Sequence, residues 1–175
     1  MNRGLLLTMT EPPPGMEEEF NAWYDSEHLA ERLAIAGFRS AQRWVADVAP
    51  GEGKYLAIYE LDSPRVLATP QYLARLQAPT PWTKRCLDRA VVFRRWTCEQ
   101  TDPGEADPHP MARFVLLALS DAALKPRLAE ALQTRCFVAS SGEPSHILLA
   151  EFAAEFALPE LPQASFLRSY RAYGA

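Results

Sequence analysis

The chain alternates short apolar runs with polar breaks, and the runs are strand-length rather than helix-length. Residues 3–10, 38–48, 54–61 and 91–99 read as four strands, each bounded by Gly, Pro or acidic residues. Between the first two lies a helical pattern over 17–34. It opens with Glu17, Glu18 and Glu19, whose charges suit the positive end of a helix dipole, and Gly37 closes the turn after it. Ser63-Pro64 starts a second helix reaching about residue 76, and residues 77–90 read as a loop or short helix around Pro79, Pro81 and Trp82. The order βαββαβ predicts an antiparallel sheet with both helices on one face.

The pattern then repeats in a shortened form. GEGKYLAIYEL (51–61) aligns without gaps on GEPSHILLAEF (142–152), pairing Glu60 with Glu151. RGLLLTMTE (3–11) aligns on RFVLLALSD (113–121), and FRRW (93–96) on LRSY (167–170). The spacing between matches shrinks in the second half, leaving room for one helix over 121–132 and none of three turns between 153 and 164, where Pro159 and Pro162 intervene. Strands are expected at 134–139, 145–153 and 165–171. The predicted fold class is therefore α+β. A ferredoxin-like βαββαβ unit at 1–100 is followed by a proline-rich acidic linker at 101–110 and a shortened βαββ repeat at 111–175. The two sheets cover each other's bare faces in an α+β barrel, and surface is left for a homodimer.

Composition narrows the function classes. Of 175 residues, 48% are hydrophobic and 23% charged, with a net charge of −4 and no basic run, so nucleic-acid binding is not expected. The apolar stretch Leu5–Leu7 is too short for a signal-peptide core or a membrane span. The scattered cysteines Cys86, Cys98 and Cys136 fit reduced thiols in a cytoplasmic protein. His28, His109 and His146 are too dispersed for a metal site, and no phosphate loop, dinucleotide fingerprint or serine elbow occurs, so no cofactor is expected.

The first helix carries the candidate chemistry. Phe20, Tyr24 and His28 recur every four residues and form one stripe, with Trp23 and Glu27 beside it and Asp25 and Glu31 each three residues from His28. A histidine oriented by a carboxylate is how a general base is commonly built, which nominates His28 and Asp25. The same stripe also suits a helix packed on a core. On the strands, Arg43, Trp44, Tyr55 and Tyr59 are candidate ligand contacts. Alternation suggests that Tyr55, Tyr59 and Trp44 face the barrel interior while Leu56 and Ile58 pack under the helices. Trp82, between prolines, is a candidate lid.

Phe20, Trp23-Tyr24, His28-Leu29, Gly37-Phe38 and the segment PTPWTKR (79–85) together resemble the pattern of EthD-like proteins in the dimeric α+β barrel superfamily. The resemblance covers about the first hundred residues. It implies a histidine lining a cleft between sheet and helices, and relatives that include isomerases, decarboxylases and cofactor-free monooxygenases. Three functions fit these readings. One is a cofactor-independent enzyme acting on a small aromatic or lactone-like compound through His28. Another is a non-catalytic small-molecule binder, and the third is a structural or oligomeric module without a ligand.

Overall fold

The computed structural model describes residues 2–174. Eight strands form one closed antiparallel barrel: β1 (Gly4–Glu11), β2 (Phe38–Val45), β3 (Tyr55–Leu61), β4 (Val92–Asp102), β5 (Phe114–Ser120), β6 (Gln133–Ser141), β7 (His146–Phe152) and β8 (Phe166–Ala172). Their order around the ring is β1-β3-β2-β8-β5-β7-β6-β4.

This corrects the expected fold class. The chain does not form a ferredoxin-like α+β unit followed by a shortened copy. Strands of the two halves hydrogen-bond to each other, β4 to β6 and β2 to β8, so no sheet edge is left open. The helices are short: α1 (Glu17–Trp23), a π-helical turn at Tyr24–His28, α2 (Leu29–Leu33), α3 (Pro70–Gln77) and α4 (Pro81–Leu87). The helix expected at 121–132 is absent. Pro126 falls in its middle, where it would remove a backbone donor and clash with the preceding turn. Residues 153–165 likewise hold no helix.

The strand order nevertheless recurs. β4-β1-β3-β2 in the first half corresponds to β8-β5-β7-β6 in the second. The ladders keep register too, with Leu5 opposite Glu60 and Val115 opposite Glu151. The seams between the halves are unequal. β4 meets β6 through a long, twice-bulged ladder, whereas β2 meets β8 only through Trp44–Ala172 and Val45–Arg171, extended by Tyr173 N–H donating to Arg43 O at 2.9 Å.

The barrel is filled by alternate residues from every strand. Leu5, Leu7, Leu56, Ile58, Trp96, Leu117, Phe137 and Leu149 belong to this interior core. The outward residues of the first half, among them Tyr55, Ala57 and Tyr59, pack instead under the helices with Phe20, Trp23 and Tyr24. The predicted faces of β3 are thus reversed. Both faces are buried, so every residue from Tyr55 to Leu61 is inside and alternation of polarity cannot tell in from out. Outward residues of the second half form a third, smaller cluster around Leu116, Ala118, Leu148 and Ala150.

Local devices set the frame. Thr69 and Thr80 cap α3 and α4, accepting from Tyr72 N and Thr83 N, each followed by Pro at the first helical position. The buried carboxylate of Glu11 accepts from Gly51 N at 2.7 Å and Gly53 N at 3.0 Å, fixing the β2–β3 turn. Gly53 has φ +81, and a Cβ there would meet the Met9 sulfur at 2.4 Å, so the turn needs glycine on both counts.

Candidate functional site

Six of the nominated side chains, Trp23, Tyr24, His28, Arg43, Tyr55 and Tyr59, come together on the helix-covered face of the first half. His28 sits at the end of the π-helical turn, its ring 4.3 Å from Trp23 and 5.1 Å from Tyr24 between centroids. It is 6% exposed, and its Nδ1 has no hydrogen-bond partner among the described residues. Burial, reinforced by the Arg32 and Arg43 charges, lowers its pKa to about 3, so the imidazole is neutral at physiological pH.

The carboxylates near it in sequence serve other partners. Asp25 pairs with Arg43 at 2.7 Å, Glu31 with Arg75 at 3.6 Å, and Glu27 accepts from Thr80 at 2.5 Å. The guanidinium of Arg43 is enclosed by aromatic rings, 4.4 Å from Tyr24 and 4.0 Å from Tyr173, and also donates to Asn21. The Tyr55 hydroxyl donates to Glu17, and burial first, then that carboxylate, pushes its pKa up to about 12. Burial also holds the Tyr59 hydroxyl well above the usual phenol range. Trp82 packs at the cluster's border, on α4. This region is a filled aromatic core with its charges paired internally.

Trp44 alone among the nominated residues faces the barrel interior. There it borders a cavity of about 370 Å³ at one end of the barrel. Ile58, Val115 and Ala172 give this cavity an apolar wall, and residues 108–113 of the β4–β5 connection border its mouth. His28 is not among its lining residues.

Its charged wall was missed by sequence reasoning. Arg135, 1% exposed on β6, bonds Glu151 on the neighbouring β7 and reaches across the barrel to the corresponding Glu60 on β3. Its Nη1 donates to Glu60 Oε2 at 3.0 Å, and its Nε and Nη2 donate to Glu151 Oε1 at 3.1 and 2.7 Å. The two carboxylates are not equivalent. Glu151 Oε2 also accepts from His109 N at 2.7 Å and Gln133 Nε2 at 3.1 Å, which ties the connection onto the barrel. Glu60 has only Arg135. Its Oε1 lies 2.9 Å from Nη2 but outside hydrogen-bonding geometry, and so lacks a hydrogen bond. Burial, the larger effect, outweighs the attraction of Arg135 and raises the Glu60 pKa above the ordinary carboxylate value. The indole Nε1 of Trp44 is likewise buried without a partner. The signal for this wall was present in the sequence. One glutamate recurs in both halves, and an arginine is the one charged residue of Gln133–Ser141.

Among the described residues, no three His, Cys, Asp or Glu side chains converge as a metal site, and no helix is long and apolar enough to cross a membrane. No family model matches the chain, and no curated protein matches it. A solved structure described as an anthrone oxidase-like protein matches with a TM-score of 0.61 and 10% identity, over 98% of this chain and 91% of that one. At this identity the likeness shows a shared fold.

Proposed function

We propose that this chain binds a small, planar organic molecule in the cavity at the end of its barrel. One observation carries the reading. The cavity combines an apolar wall with two buried polar groups, Trp44 Nε1 and Glu60 Oε1, that have no hydrogen bond of their own. Leaving a donor such as Trp44 Nε1 unpaired costs on the order of 1–3 kcal/mol, a cost that a ligand supplying the missing acceptor relieves, and Glu60 Oε1, held only by its ion-pair contact with Arg135, can still accept. The EthD-like pattern over residues 20–38 and a fold neighbour described as anthrone oxidase-like support aromatic ketones as first probes. Titrating the protein with anthrone and smaller aromatic ketones should give saturable heat and quench tryptophan emission, with the quenching reduced in Trp44→Phe. Heat and quenching that never saturate for any of these probes would end the reading.

Acid–base chemistry in the same cavity is the second reading, favoured by the raised Glu60 carboxyl. It moves the proton-handling role from His28, a neutral ring inside a packed core, to a carboxylate at a cavity wall. Protein-dependent exchange of α-hydrogens of an enolisable ketone in deuterium oxide, lost in Glu60→Gln, is the expected sign.

A further inference from the structure

The cavity's arginine looks at first like a receptor for an anion, and its bonding says otherwise. Nε, Nη1 and Nη2 of Arg135 are all directed at glutamate oxygens, and the side chain is 1% exposed. Two carboxylates surround this one guanidinium, and the lining's other arginine, Arg113, is exposed at the mouth with its Nη1 donating to Ala112 O at 3.1 Å, so the buried part of the wall is short of positive charge. Gln42, which stands on β2 opposite Ile58 as Arg135 stands on β6 opposite Leu149, is uncharged and turns its Nε2 to Arg43 O at 2.9 Å. No second cation therefore arises from the repeat.

We infer, on the reading that this cavity holds a ligand, that it selects an uncharged elongated molecule with a hydroxyl or N–H at one end and a carbonyl at the other, and rejects carboxylates. The donor end faces Glu60, whose Oε1 makes no hydrogen bond and has only its ion-pair contact with Arg135, and the carbonyl end faces Trp44, whose buried Nε1 has no acceptor. Trp44 lies four residues along β2 from Ser40, the residue opposite Glu60. At strand rise this separates the two levels by about 13 Å between Cα positions. Ile58, Val115 and Ala172 provide the apolar lining. Reaching both levels takes an elongated ligand, such as a fused pair or trio of rings with polar groups at its ends. A carboxylate brought to the Glu60 end would meet like charge in a desolvated place, where it is penalised most.

Calorimetric titration of the whole chain near neutral pH tests this with two matched probes. One is a hydroxynaphthaldehyde with its groups at opposite ends of the ring pair, and the other is the corresponding hydroxynaphthoate. The wild-type protein is expected to bind the aldehyde at least about tenfold more tightly, which is about 1.4 kcal/mol. Glu60→Gln should shrink that preference, and Trp44→Phe should weaken the aldehyde while leaving the naphthoate nearly unchanged. Equal or tighter binding of the naphthoate by the wild-type protein overturns the inference, since Arg135 would then be acting as an anion receptor, and leaves the cavity reading standing. Binding of neither probe, nor of the unsubstituted naphthalene, removes the cavity reading and this inference with it. The wild-type comparison decides the matter even if a variant fails to fold.

Discussion

The two halves of the barrel repeat one strand order and clothe it differently. On β3 the outward positions are Tyr55, Ala57 and Tyr59, and α1, α2 and α4 lie over them. At the corresponding places on β7 stand His146, Leu148 and Ala150, and irregular chain suffices as cover. Bulky aromatic rings leave a thick layer that needs helices to seal it. Small aliphatic ones leave a thin layer that coil can close. The interior shows the same divergence at a finer scale. Glu60 and Glu151 occupy corresponding positions and line the same cavity, yet Glu151 accepts from several donors and holds the β4–β5 connection, while Glu60 depends on a single arginine. Repetition of the frame thus left one carboxylate fully hydrogen-bonded and its counterpart with a single cationic partner.

The strongest test of that contrast removes what the two carboxylates share. Arg135→Leu leaves two buried carboxylates without a counter-ion, and we expect a loss of about 3–5 kcal/mol in chemical denaturation. The glutamates should then separate. Glu151→Gln disturbs charge-assisted bonds from Arg135 and the tie to His109, and should cost roughly 2–3 kcal/mol. Glu60→Gln should cost under about 1 kcal/mol, because it removes a carboxylate that burial already disfavours. Equal losses would erase the distinction between them.

The aromatic layer of the first half has its own signature in acid. Unfolded, His28 binds a proton below about 6.5; folded, it binds one only below about 3. Between those values the unfolded chain holds the extra proton, so stability falls as pH drops through the window. From about pH 7 to about pH 5 the loss should be roughly 2 kcal/mol, and His28→Phe should abolish it. Glu60 works in the opposite direction. Its raised folded pKa makes stability fall as pH rises past the ordinary carboxylate value, and Glu60→Gln isolates that contribution. The smallest effect belongs to the rim of the aromatic layer. Asp25, 52% exposed at its pair with Arg43, should change the melting free energy by less than about 1 kcal/mol on conversion to Asn.

Much of this architecture was legible as strands, because Gly, Pro and acidic breaks bracket each apolar run. The expected spans 54–61 and 145–153 fall within a residue of Tyr55–Leu61 and His146–Phe152. The closed ring was not legible, since pairing of β4 with β6 and β2 with β8 is a long-range choice that no local pattern encodes. The helix expected over 121–132 from the room between the repeat matches does not form, because Pro126 stands in the middle of that segment. The aromatic residues of α1 read correctly as one assembly, yet spacing could not say whether it opened onto a cavity. Trp44 was legible as inward-facing. Arg135 was passed over because a single cation in a strand commonly points to water, and only the fold brings it between two glutamates.

The short seam between β2 and β8 gives the barrel a directional softness. Two residue pairs and one further amide bond join these strands, while the opposite seam is laced over most of its length. Thermal fluctuations part a ring where the fewest bonds must break together, so the amide of Tyr173, which donates to Arg43 O across this seam, should exchange with solvent sooner than those of the β1–β3 ladder. Trp44 and Ala172 belong both to this seam and to the cavity wall. The weakest join in the cylinder therefore runs along the cavity wall, and its strands are not those that carry the carboxylates.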